Sequence, residues 1–90
     1  MKIKYTILFS ESAKKELKRI DRYQARIILS WIEKNLDGCE NPRAHGKPLV
    51  GDKSRYWRYR VGEYRILAEI DDERIIISVI SIGHRKDIYK

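Results

Sequence analysis

The sequence predicts an α+β domain in the order β-α-α-β-β-β, with a two-helix hairpin packed on one face of a small, mainly antiparallel, four-stranded sheet. Three observations carry this. Apolar and polar residues alternate over residues 2–9, two capped helical repeats fill the next thirty positions, and three strand-like runs separated by short turns close the chain. Ninety residues suffice for a single core covered on one side, so residues 1–90 form one domain.

In the first strand Ile3, Tyr5, Ile7 and Phe9 share one face, and Lys2, Lys4 and Thr6 take the other. Ser10 is placed to cap the first helix, with Glu11 in its first turn and Ala13, Leu17 and Ile20 along one side. Asp21 caps the second helix with Gln24 three residues on, and Ile27, Ile28, Trp31, Ile32 and Leu36 form its apolar stripe until Gly38 stops it. The stretch "CENPRAHGKPLVGDKS", from Cys39 to Ser54, holds both prolines and no periodicity, and reads as a surface loop. The remaining strands are "RYWRYRV", "YRILAEI" and "RIIISVISI".

The turn between the first two of these strands fixes a register. Gly62 followed by Glu63 suits a two-residue type II′ turn, which sets Val61 opposite Tyr64, Tyr59 opposite Ile66 and Trp57 opposite Ala68 on the face beneath the helices. The other face then pairs Arg60 with Arg65, Arg58 with Leu67 and Tyr56 with Glu69. Directly opposed arginines destabilise a sheet, and an anion relieves them; guanidinium donors match phosphate oxygens and stay protonated at any working pH. The alternative is a solvated edge with local salt bridges from Glu63 and Glu69. The charge balance favours the anion: 20 Lys and Arg against 13 Asp and Glu give a net charge of +7, which points to a polyanionic partner such as nucleic acid or an acidic protein.

Other classes find little support. A lone cysteine, Cys39, excludes an internal disulfide framework and suits a reducing cytoplasm. The apolar patch from Tyr5 to Phe9 is shorter than the about 7 to 15 residues of a signal-peptide core, and no segment approaches membrane-spanning length, so a cytoplasmic protein without membrane contact is expected. Two histidines without a cysteine or carboxylate cluster argue against a metal site, and neither a glycine-rich phosphate loop nor a G-x-S-x-G motif occurs. His45, in the proline-bounded loop, reads as structural. His84 follows the last strand and precedes Arg85 and Tyr89; its imidazole belongs to the one side-chain class that ordinarily titrates near neutrality.

The segments "KPL", "WRYRVGEYRI" and "GHRKDIY", set in this element order, resemble the RelE branch of the RelE/ParE toxin superfamily over nearly the whole chain. The resemblance implies a type II toxin-antitoxin toxin, and a ribosome-dependent mRNA endoribonuclease that needs no metal or other cofactor. The implied reaction is in-line attack of a ribose 2′-OH on the adjacent phosphate, giving a 2′,3′-cyclic phosphate and a 5′-OH.

By the same resemblance Arg58 and Arg65 hold the phosphate, Arg85 stabilises the leaving oxygen, and Tyr89 orients the nucleotide or helps to activate the 2′-OH. Lys47 and Arg60 are RNA-backbone contacts. Where some RelE proteins carry a lysine proposed to assist deprotonation, this chain has Tyr56, so the base stays open among Tyr89, Tyr56 and His84. The implied partners are mRNA in the ribosomal A site and a RelB-like antitoxin. A disordered segment of that antitoxin folds as it wraps and neutralises the toxin, and operator DNA is reached only through it. Two alternatives share the fold and the basic surface: a ParE-like inhibitor of DNA gyrase, and a non-catalytic RNA- or ribosome-binding domain.

Overall fold

The computed structural model of the chain describes residues 3–49 and 56–84. In order these form β1 (Thr6–Phe9), α1 (Glu11–Arg19), α2 (Arg22–Asn35), a 3₁₀ turn (Pro42–Ala44), β2 (Lys47–Pro48), β3 (Tyr56–Val61), β4 (Tyr64–Asp71) and β5 (Ile76–His84). The strands make one sheet in the order β1-β5-β4-β3-β2. It is antiparallel except where β1 runs parallel to β5.

Both helices start where side-chain acceptors are available. Ser10 Oγ accepts from the Ala13 amide at 3.0 Å and donates to the Ile80 carbonyl at 2.7 Å, so one hydroxyl caps α1 and ties it to β5. Asp21 Oδ2 accepts from the amides of Tyr23 and Gln24 at 3.1 and 3.3 Å and opens α2. Beyond α2, Gly38 adopts φ +75° and donates its amide to the Tyr5 carbonyl, while the Tyr5 amide donates to the Cys39 carbonyl. The chain leaving α2 is thus laced to the segment preceding β1.

The helices bury Ala13, Ile28, Ile32 and Leu36 against Tyr59, Val61, Ile66, Ala68, Ile77, Val79 and Ile82 of the sheet. Burying each of the isoleucine, leucine and valine side chains in this set contributes about 1.5–3 kcal/mol. A bulge between Leu67 and Ala68 of β4, opposite Ser81 and Val79, leaves Ile80 as the extra residue of β5. That one-residue change of phase lets Ile77, Val79 and Ile82 all reach the core.

The architecture is the α+β one expected, with two differences. The sheet has five strands among the described residues rather than four, because the loop after α2 lays Lys47 and Pro48 along β3. A two-residue strand containing proline has no periodicity to read, and it sits at an edge where the missing proline N–H breaks no ladder. The ladder of β1 is also shorter than the alternation over residues 2–9 implied. Ile3 is 57% exposed, whereas Tyr5 is buried by its bonds to Cys39 and Gly38 outside the ladder.

Tyr5 also anchors a polar cluster. Its hydroxyl donates to Asp72 Oδ1 at 2.7 Å, and Arg43 makes paired contacts of 3.0 Å to both Asp72 oxygens. The Arg43 guanidinium, followed by the Tyr5 hydroxyl, holds the Asp72 carboxyl below its ordinary value; the Asp72 hydrogen bond raises the Tyr5 phenol in turn. A carboxyl that binds its proton less readily folded than unfolded stabilises the fold above its unfolded pKa of about 3.9. That contribution disappears as pH falls through the lowered native value. Asp72→Asn is therefore expected to melt below the parent at pH 7, with the gap closing below about pH 4; thermal melts at pH 7 and pH 3 check it, and a gap constant across that range would mean that the carboxylate charge is not involved.

Candidate functional site

The β3–β4 hairpin has the register that its turn dictates. Arg60 pairs with Arg65, Arg58 with Leu67, Tyr56 with Glu69, and Val61 with Tyr64. Gly62 takes φ +60° while Glu63 stays out of the positive region, the combination of a type II′ turn. On the far side of β3, β2 sets Lys47 directly opposite Arg58. Two like-charge pairs, Lys47 with Arg58 and Arg60 with Arg65, therefore occupy neighbouring rows of one sheet face. Each such pairing costs up to about 1 kcal/mol relative to uncharged neighbours. On β5 the residue in register with Arg65 is Gly83, which adds no side chain to the crowding.

A groove of about 450 Å³ collects these cations. Its described lining is Trp31, His45, Gly46, Lys47, Arg58, Arg60 and Arg65, with no acidic side chain among them. The wall from β2 and the preceding loop is pinned at three points. Tyr59 donates its hydroxyl to the Pro42 carbonyl at 2.7 Å, Trp57 Nε1 donates to the His45 carbonyl at 2.6 Å, and Arg43 bridges to Asp72 while its guanidinium lies 5.9 Å from the Trp57 ring centre. Burial drives the Tyr59 phenol well above its usual value, so it stays a neutral donor.

Between these anchors Gly46 adopts φ +75°, and a Cβ there would overlap the Arg58 carbonyl and come within 2.9 Å of Trp57 Nε1 and Tyr59 Cδ1. The loop can lie this close to β3 only because the residue is glycine.

Of the residues singled out from the sequence, Lys47, Arg58, Arg60 and Arg65 converge on the groove. Tyr56 opens β3 opposite Glu69, and His84 ends β5 edge-on to Tyr64 with ring centres 5.7 Å apart; neither is among the described lining residues. Arg85 and Tyr89 lie outside the described residues. The groove adds three residues to that set. Trp31 belongs to the apolar stripe of α2, yet it also reaches the groove and packs edge-on to His45 at 5.7 Å. His45 and Gly46 arrive with the unpredicted strand β2, and the only sequence signal for them is the glycine between a histidine and "KPL".

A groove walled by three guanidiniums and an ammonium presents the donors and charge that suit an anion such as phosphate. Comparison with known proteins gives the class of the fold that carries this groove. Residues 7–89 match the family described as ParE toxin of type II toxin-antitoxin system, parDE. The chain belongs to that family, within the RelE/ParE superfamily of type II toxins. It is 32% identical to Toxin RelG of Mycobacterium tuberculosis over 96% of this chain and 97% of that protein. It is 30% identical to a putative RelE-like toxin protein of Escherichia coli, over 97% of this chain and 92% of that one. Its fold superposes on a chain of the M. tuberculosis toxin-antitoxin complex RelBE2 with a TM-score of 0.83 and 27% identity, covering 94% and 95% of the two chains.

Proposed function

We propose that this toxin is a metal-independent endoribonuclease that cleaves mRNA in the ribosomal A site. The observation that carries the reading is the pair of like-charge rows, Lys47 with Arg58 and Arg60 with Arg65, lining one groove. That arrangement lowers the stability of the sheet and gains from an anion.

In this reading Arg58 and Arg65 hold the scissile phosphate and neutralise the charge that grows on it as the 2′-oxygen attacks. Lys47 and Arg60 contact the flanking backbone. Arg85 and Tyr89, carried over from the family resemblance, serve the leaving oxygen and the orientation of the nucleotide. Holding the 2′-OH in line with the breaking P–O5′ bond supplies much of the rate, and the ribosome is the natural source of that order, so free RNA is a poor substrate. The relative solved as RelBE2 is a toxin-antitoxin complex. By analogy a RelB-like antitoxin wraps this chain, covers or distorts its basic face, and supplies the contact with operator DNA. No helix among the described residues is long and apolar enough to cross a membrane, which fits action on cytoplasmic ribosomes.

The test is cleavage of mRNA by purified protein with and without programmed 70S ribosomes, with product ends read by mass spectrometry. Ribosome-dependent cuts within the A-site codon that leave a 2′,3′-cyclic phosphate are expected. A folded, toxic protein that cuts nothing would sink the reading. Inhibition of DNA gyrase supercoiling would then identify a ParE-like mode, and salt-sensitive ribosome binding without cleavage a purely binding one.

A further inference from the structure

We propose that His45 is the proton acceptor of the groove, taking the ribose 2′-OH proton as that oxygen attacks phosphorus. The inference rests on the ribonuclease reading and supplies the base that reading leaves open. Two features of the structure carry it.

The first is composition. His45 is exposed and lines the groove together with Lys47 from β2, Arg58 and Arg60 from β3, Arg65 from β4 and Trp31 from α2. Guanidinium groups do not deprotonate in proteins, and lysine ordinarily titrates near about 10.4. Imidazole is thus the one side chain among the described lining residues suited to accept a proton near neutral pH. No carboxylate among those residues competes for it.

The second is placement. The His45 carbonyl is held by Trp57 Nε1 at 2.6 Å, and the following residue is the glycine seated tightly on β3. The imidazole stands edge-on to Trp31, with ring centres 5.7 Å apart and planes at 73°. A fixed backbone and a packed ring hold the base beside the phosphate site instead of leaving it to sweep through solvent. The other histidine, His84, packs against Tyr64 at the end of β5 and is not part of the described lining.

The reaction balances without a co-reactant. The O2′–P bond forms as the P–O5′ bond breaks, the 2′-OH proton passes to the imidazole, and the departing 5′-oxygen takes a proton from water. The hydroxide left behind collects the imidazolium proton, so no water is consumed overall.

The experiment measures single-turnover cleavage on programmed ribosomes from pH 6 to 8.5 for the parent, His45→Gln and His45→Phe. Phenylalanine keeps an aromatic ring against Trp31 and removes the proton acceptor. Both variants are expected to lose roughly 10²- to 10⁴-fold in rate. The acidic limb of the parent's pH–rate profile is expected to vanish, while melting temperature and binding to ribosomes carrying a 2′-deoxy residue at the cleavage position stay near the parent's. Should His45→Phe cleave at close to the parental rate or keep the acidic limb, the imidazole is a packing group and the proposal is overturned; if that variant fails to fold, His45→Gln decides by the same two criteria. A parent that does not cleave overturns the ribonuclease reading itself, and this inference with it, in an arm that involves no variant.

Discussion

Replacing Arg65 by alanine is expected to remove roughly 10²- to 10³-fold of the cleavage rate, the usual cost of losing one donor aimed at developing charge. The same change is expected to leave the fold intact or raise its melting temperature slightly. Arg65 is only half-buried, and it donates a long hydrogen bond of 3.4 Å to its neighbour's carbonyl. Its removal also ends the repulsion with Arg60 directly across the ladder. Relief of one like-charge pair is worth about 0.2–1 kcal/mol. Opposite signs for activity and stability separate a functional arginine from a structural one, because a structural arginine lowers both.

Arg65→Lys should fall between, keeping the charge and losing the planar fork that matches two phosphate oxygens. Cleavage assays beside thermal melts provide the check. An alanine variant that is folded and fully active would mean that no phosphate sits at this row of the sheet.

Gly46→Ala is expected to be far more damaging than an alanine placed at an equally strained but open glycine. Gly38 provides its control. Both glycines have φ +75°, so alanine at either pays about 1–2 kcal/mol for left-handed backbone. At Gly38 nothing lies within 4 Å of the new carbon, and the strain is the whole effect. At Gly46 the methyl overlaps the Arg58 carbonyl and crowds Trp57 and Tyr59, adding an overpacking cost of about 1–3 kcal/mol. In a domain of this size 1 kcal/mol moves the melting temperature by about 4–8 °C, so Gly46→Ala should melt about 5–20 °C below Gly38→Ala.

The loop's alternative is to lift away from β3. That breaks the Trp57–His45 bond, unpairs Lys47 from Arg58 and opens the wall of the groove. Gly46→Ala therefore loses activity whether it strains or yields, whereas Gly38→Ala keeps it. Equal melting temperatures for the two variants would show that the loop gives way freely and that the groove has no rigid wall.

The parts of the fold that were legible in the sequence are those governed by local chemistry. Ser10 and Asp21 announce the helix starts because short polar side chains satisfy otherwise orphaned amides. The Gly62–Glu63 turn sets the β3–β4 register, and with it the shared face of Arg58, Arg60 and Arg65, because a two-residue turn leaves no slack. What escaped depends on tertiary contacts. The pairing of Lys47 with Arg58 comes from where a loop lands, and its landing is decided by Trp57 and Tyr59 of β3 reaching the loop and by the loop's Arg43 reaching Asp72. Trp31 could be read only as core, since a helical stripe does not reveal which of its residues stands at the rim. The Ile80 bulge left no mark in a run of isoleucines, where either phase is apolar.

The parallel pairing of β1 with β5 has a consequence in time. The first strand finds its partner only among residues 76–79, and Ser10 binds backbone at Val79 and Ile80, so these contacts close loops of about seventy residues. Such closures are late events in folding. The sheet that carries the arginine rows is therefore complete only once residues 76–79 have been reached and have joined the first strand. Nascent chains arrested before Ile76 are expected to be cut by protease throughout, whereas released chains resist. On that order of events, the arginine rows gain their full sheet only as its last strand joins its first, so the basic face is a late product of folding.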